Sequence, residues 1–202
     1  MRAVAALVFP GFELLDLFGP LEFFGLIEGA FRIELVAEAP GPVASAQGPE
    51  AVAARGIDEA RGEILLVPGG PGARREVANA RLLEGVAAFS AQAELTLGVC
   101  TGAALLARAG LLDGRRATTN KAAFGWVAAQ GPKVDWVKRA RWVEDGPFLT
   151  SAGVSAGMDM ALAAIARLEG AAAAEAAARA AEYRWSRAPE DDPFAAAFGL
   201  AP

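Results

Sequence analysis

Apolar residues in this chain gather into short dense runs separated by longer stretches with helical spacing. The run that ends at Val8-Phe9 stops at Pro10-Gly11, with Glu13 and Asp16 behind it, so it reads as a buried first strand and not as a signal peptide. Pro10 to Asp16 forms a loop entering a Leu- and Phe-rich helix over 17–27, with Asp16 at its N-cap or first turn; capping alone would justify an Asp there. Residues 31–37 alternate apolar with polar and predict a second strand, and 43–46 a short edge segment after the Pro40-Gly41-Pro42 turn.

The run over 63–67 is a buried strand that ends in Pro68-Gly69-Gly70-Pro71-Gly72, and a helix over 76–91 follows. A further strand and a helix to Leu112 come next, closed by Asp113-Gly114. Residues 116–121 start another strand-to-helix connection, leading into a helix with Phe124 and Trp126. Residues 141–150 read as a hairpin with an Asp-Gly turn, and a small-residue loop over 151–157 enters a helix over 158–168. The Ala-rich stretch 171–183 is a strong helix former, and a surface tail begins at Asp191. Strands alternating with helices predict a three-layer α/β/α sandwich with a mostly parallel sheet, in one domain spanning 1–202.

Composition narrows the function classes. A formal net charge of -5, with no stripe of Lys or Arg, disfavours nucleic acid as a partner. No stretch reaches the 18 or more apolar residues of a membrane span, and a single cysteine fits a reducing compartment, so the expected location is the cytoplasm. The chain has no histidine. That removes Cys-His and Ser-His-Asp triads and ordinary histidine metal sites, leaving acid–base work to carboxylates, hydroxyls, backbone or water.

The chemistry centres on residues 94–106, a short apolar strand, Gly98-Val99-Cys100-Thr101-Gly102, then an amphipathic helix. G-x-C-x-G is the thiol counterpart of the nucleophile elbow, where bulky side chains two residues either side would collide. The thiol then sits at a helix N-terminus, whose dipole favours a thiolate, although a buried structural cysteine is the plainer alternative. The Gly-rich loop at Gly69 and Gly70 lacks the ending of a P-loop and the spacing of a dinucleotide fingerprint. It reads as an anion or oxyanion pocket of backbone N–H groups at the carboxyl edge of a parallel sheet.

Five segments together resemble the ThiJ/PfpI superfamily along the length of the chain. They are residues 9–22, Val67-Pro68-Gly69-Gly70, Val99-Cys100-Thr101-Gly102, Ala117-Thr118-Thr119 and Ser155-Ala156-Gly157-Met158-Asp159. Within it the chain is most similar to the isonitrile hydratase branch and to the N-terminal domains of AraC-type regulators. The resemblance implies a flavodoxin-like, class I glutamine amidotransferase-like fold, usually a homodimer, with no cofactor and no metal. It also implies Cys100 as nucleophile, Asp16 as neighbouring acid and Thr101 as a helper. Gly69, Gly70, Gly102 and Asn120 would complete the substrate or oxyanion site. The chain departs from the family's protease-like members at Thr101 and from the common hydratase pattern at Asn120, each of which stands where those carry His. Peptidase and amidotransferase activity are therefore not expected, and the regulator reading lacks a helix-turn-helix segment.

A Cys-Asp pair without His has defined chemistry. An unperturbed thiol is about 3% thiolate at pH 7, and an ionised Asp16 would oppose further ionisation. The pair works if Asp16 keeps a proton and shares it with the sulfur. The reaction expected is addition of water to a small electrophile through a thioimidate on Cys100. The alternatives are a deglycase- or glyoxalase-type hydrolase of reactive carbonyls, and a non-catalytic thiol sensor or binding protein. Phe12, Phe18, Trp126 and Trp142 read as core aromatics before pocket walls.

Overall fold

The computed structural model describes residues 1–200. Strand β1 (Arg2–Leu7), helix α1 (Leu14–Gly25) and strand β2 (Phe31–Ala37) open the chain. An antiparallel ribbon of β3 (Gly41–Ala44) and β4 (Glu50–Ala53) and the two-residue β5 (Arg55–Gly56) lead to β6 (Ile64–Val67). Helices α2 (Ala73–Glu76) and α3 (Ala80–Ser90), strand β7 (Leu95–Val99) and helix α4 (Gly102–Arg108) follow. The remainder is β8 (Arg116–Ala117), α5 (Phe124–Ala128), β9 (Asp135–Trp136), the hairpin β10 (Trp142–Asp145) and β11 (Phe148–Ser151), and helices α6 (Ala156–Glu169), α7 (Ala171–Ala180) and α8 (Phe194–Ala197).

Seven strands form the main sheet in the order β10-β11-β7-β6-β1-β2-β5, all parallel except β10. Every residue of β6 and β7 is buried, which is why both read as unbroken apolar runs: helices cover both faces of their sheet. Each such Leu or Ile contributes about 1.5–3 kcal/mol on removal from water. Helix α6 packs against α1 and α7, and α3 against α4, completing a three-layer α/β/α sandwich. Among the described residues, no helix is long and apolar enough to cross a membrane.

The departures from the sequence pattern have local causes. Helix α1 begins at Leu14, so Asp16 lies in its first turn, and Glu13 takes the N-cap position without a side-chain capping bond. The helix expected over 76–91 starts later, as α3 at Ala80: α2 ends at Glu76, and Asn79 Oδ1 accepts the Leu82 N–H at 3.3 Å as the cap of α3. Helix α4 stops at Arg108, two residues before Gly110 turns left-handed at φ 76°. In the hairpin Asp145 faces Phe148, so the loop is Gly146-Pro147, one residue beyond the expected turn. Strand β8 pairs with β9 outside the main sheet. The tail is not a surface segment throughout: Asp192 is buried, with Oδ2 3.8 Å from the equally buried Lys121 Nζ.

Candidate active site

Beside β1 the chain reverses direction across the sheet, to β2 on one side and β6 on the other. The carboxyl ends of strands at such a switch point form a crevice. Three connections meet there: the loop after β1 leads into the first turn of α1, which carries Asp16, the loop after β6 carries Gly69 and Gly70, and the one after β7 carries Cys100.

Cys100 has φ 56°, the left-handed conformation that costs a non-glycine residue about 1–3 kcal/mol. Hydrogen bonds on both sides hold it there. Its N–H donates to Ser151 O at 3.1 Å, and its carbonyl accepts the Thr119 hydroxyl at 2.7 Å. The flanking glycines make room for close approaches, Gly102 against backbone and Gly98 against a side-chain end. A Cβ on Gly98 would come within 2.8 Å of Leu106 Cδ1, and one on Gly102 would collide with the Val67 and Pro68 carbonyls. These are the collisions that a strand-to-helix elbow predicts.

The carboxyl of Asp16 is fully buried beside this elbow, and its Oδ2 accepts the Gly69 N–H at 3.0 Å. Gly69 keeps the slot open, since a Cβ there would stand 2.9 Å from Oδ2 and 2.6 Å from Thr101 N. Asp16 Oδ1 makes no aligned hydrogen bond, yet carboxyl and thiol lie close enough for each to alter the other's protonation. Burial pushes the Asp16 pKa up to about 8, against the opposing pull of the Gly69 N–H. Burial, then the negative charge of Asp16, pushes the Cys100 thiol well above its ordinary value, with the Thr101 N–H opposing. Both groups therefore keep their protons at neutral pH. This revises the expected thiolate: a helix end lowers a pKa by about one unit, while burial raises it by as much as 3–5.

The Thr101 hydroxyl is bonded to the Gly70 backbone. Its Oγ1 accepts the Gly70 N–H at 2.9 Å and faces Gly70 O at 3.2 Å. The amides of Gly69 and Gly70 are thus committed to Asp16 and Thr101, which revises the expected oxyanion pocket; Thr101 N–H is the backbone donor facing the sulfur. Gly102 serves the close approach of α4 to the end of β6 and does not line the cavity. Asn120 does line it. Its Oδ1 caps the Ala123 N–H at 2.9 Å, and a Cβ on Gly153 would lie 2.6 Å from both its Nδ2 and Cys100 Sγ, so amide and thiol flank one point.

The cavity over Cys100 measures about 260 Å³ and is also lined by Glu13, Gly70, Pro71, Arg74, Thr101 and Val154. Glu13, Arg74 and Val154 are not among the site residues expected from the sequence, because a single charged or aliphatic residue gives no signal of lining a cavity. Lys121 is another omission. Its Nζ donates to Thr118 Oγ1 at 2.9 Å and to Ala140 O at 2.6 Å, tying the Asn120 loop to the segment before β10. Among the described residues no three His, Cys, Asp or Glu groups converge as a metal site.

This elbow and its buried acid sit in a sandwich that defines a family: the chain belongs to the DJ-1/PfpI family, whose pattern it matches over residues 2–167. It is 32% identical over 170 residues to an isonitrile hydratase of Pseudomonas putida, covering 83% of this chain and 72% of that one. It is 29% identical over 169 residues to the HTH-type transcriptional regulator CdhR of Pseudomonas aeruginosa, covering 81% of this chain and 50% of the regulator. Among solved structures, a ThiJ/PfpI family protein from Pseudomonas syringae superposes with a TM-score of 0.84 at 33% identity, over 96% of this chain and 77% of the other.

Proposed function

We propose that the chain hydrates a small isonitrile to an N-substituted formamide, with Cys100 as nucleophile and Asp16 as proton donor. One observation carries this reading: a carboxyl that keeps its proton up to about pH 8 is buried against a thiol that is also protonated. An isonitrile needs both a nucleophile and a proton at the same terminal carbon. The Cys100 sulfur forms the S–C bond while Asp16 delivers its proton to that carbon and takes the thiol proton in return. The product is a thioimidate with no net change in charge. Water then adds to its carbon, nitrogen takes a proton, the C–S bond breaks, and the sulfur is reprotonated as the formamide leaves. Thr101 N–H and Asn120 Nδ2 are the donors that stabilise developing charge. The identity to a named isonitrile hydratase supports the same assignment.

The sensor alternative is weaker than the sequence made it. A neutral, 6%-exposed thiol oxidises slowly, because the thiolate is the reactive form. Two copies of the chain pair, in this reading, through α1, where exposed Phe18 stands between two apolar hollows. One is lined by Leu21, Leu26 and Ile33, the other by Leu15, Phe23 and Met158. A knob beside hollows of its own kind is self-complementary, as a two-fold interface requires.

The test is a panel of isonitriles and α-oxoaldehydes offered to the wild type and to Cys100→Ala. Formamide release by the wild type alone supports the reading. Turnover of the oxoaldehydes alone would replace it with the carbonyl hydrolase.

A further inference from the structure

Arg74 is one of two charged residues lining the cavity over Cys100, and it has no anionic partner. Its guanidinium makes no hydrogen bond or ion pair with any described residue, whereas that of its neighbour Arg75 is bound to Glu76 and to the Pro10 carbonyl. Its guanidinium carbon lies 4.4 Å from the centroid of the Trp126 ring, a stacking that holds the side chain while leaving its N–H edge open. Glu13, the other charged lining residue, already accepts a hydrogen bond from Gln47 Nε2. The cavity thus offers a carboxylate whose hydrogen bond comes from a neutral amide and leaves its charge in place, a guanidinium with no protein partner, and the Asn120 amide nitrogen beside the thiol.

We propose that Arg74 binds the carboxylate of an anionic small substrate whose electrophilic carbon is presented to Cys100. A planar guanidinium takes a carboxylate by two parallel hydrogen bonds, fixing orientation as well as charge. The substrate class is then a small electrophile bearing a carboxylate near the reacting carbon. This inference rests on Cys100 being the reactive group, and its test needs no isonitrile turnover.

Two alkylating probes of nearly equal size separate charge recognition from reactivity. Iodoacetate is anionic and iodoacetamide neutral; both lose iodide as the Cys100 sulfur forms an S–C bond. They consume the same thiolate, so the ratio of their rates cancels any change in the pKa of Cys100. In Arg74→Gln the ratio of iodoacetate to iodoacetamide rate should fall about two- to fivefold, the worth of one near-surface charge pair. Arg74→Lys, which keeps the charge but not the paired hydrogen bonds, should recover part of the lost ratio, and added salt should lower the wild-type ratio toward that of Arg74→Gln. An equal ratio in wild type and Arg74→Gln would overturn the proposal. So would an Arg74→Lys ratio as low as that of Arg74→Gln, which would make the effect one of shape. Failure of both probes to label Cys100 would remove the reactive thiol and this inference with it. Labelling with the predicted ratios but no formamide product would leave the anionic site standing without the hydratase.

Discussion

Asp16 is the residue at which helix capping and chemistry diverge. As a cap it would sit half-exposed and ionised; as found, it is fully buried and keeps a proton to about pH 8. The stability consequence has a definite sign. In the unfolded chain the carboxyl titrates near pKa 3.9, so between about pH 4 and 8 the native state binds the extra proton and stability declines as pH rises. Cys100, raised for the same reason, adds a loss above its unfolded pKa of about 8.5. Thermal melts of wild type should therefore weaken from pH 5 to 9, and Asp16→Asn, which cannot ionise, should flatten the part of that slope below pH 8. In catalysis the same substitution should lower turnover by about 10²–10⁴-fold, the worth of a positioned acid. Wild-type kcat/KM should fall as pH rises through about 8. Identical melting slopes in both proteins would show that the carboxyl ionises normally. Sequence spacing could pair Asp16 with Cys100 but not set their protonation, which burial by the surrounding loops decides.

At the scale of elements, those with steep hydrophobic contrast were legible. The 31–37 strand, the buried strand at 63–67 and the strand before Cys100 stand where the pattern puts them, and the hairpin does so with its turn displaced by one residue. The breaks were not. Asn79 caps α3 by accepting the Leu82 N–H, three residues after α2 ends at Glu76, and the residues of β4 carry no run long enough to announce its antiparallel pairing with β3. The glycines of the elbow were legible because sterics at a strand-to-helix turn leave no alternative. The partners of Gly69 and Gly70 were not, because a Gly-rich loop does not disclose where its amides point. Gly102→Ala tests the steric argument. The added methyl meets backbone carbonyls of β6 and Pro68, which cannot swing aside like a flexible side chain. The substitution should destabilise by about 1–3 kcal/mol, as overpacking does, read as a lower denaturation midpoint. A midpoint within error of wild type would mean that α4 tilts freely and that the elbow is not held by close packing.

Across the whole molecule, long-range polar ties decide what the sequence could not show. Buried Arg141 donates to Asp159 Oδ2 at 2.6 Å, while Tyr183 Oη and the Ser186 N–H, at 3.1 and 2.8 Å, hold Asp159 Oδ1, so the segment after α7 is anchored to α6. Helix α1 is anchored from the other side. It buries Leu17, Leu21 and Phe24 against the core and leaves Leu15 and Phe18 42% and 45% exposed. Single exposed apolar residues are ordinary, but here they rim two hollows on the helix that also carries Asp16. If two copies pair there, Phe18→Glu places a charge at the centre of the interface without removing a core residue. The variant should sediment at half the wild-type mass, with a melting temperature close to that of the diluted, dissociated wild type. Its turnover should drop as well, because Asp16 lies half a helical turn from Phe18 and a freed α1 no longer fixes the carboxyl against Cys100. Sedimentation of Phe18→Glu at the wild-type mass, or of wild type itself as a monomer at micromolar concentration, would remove this face from the interface.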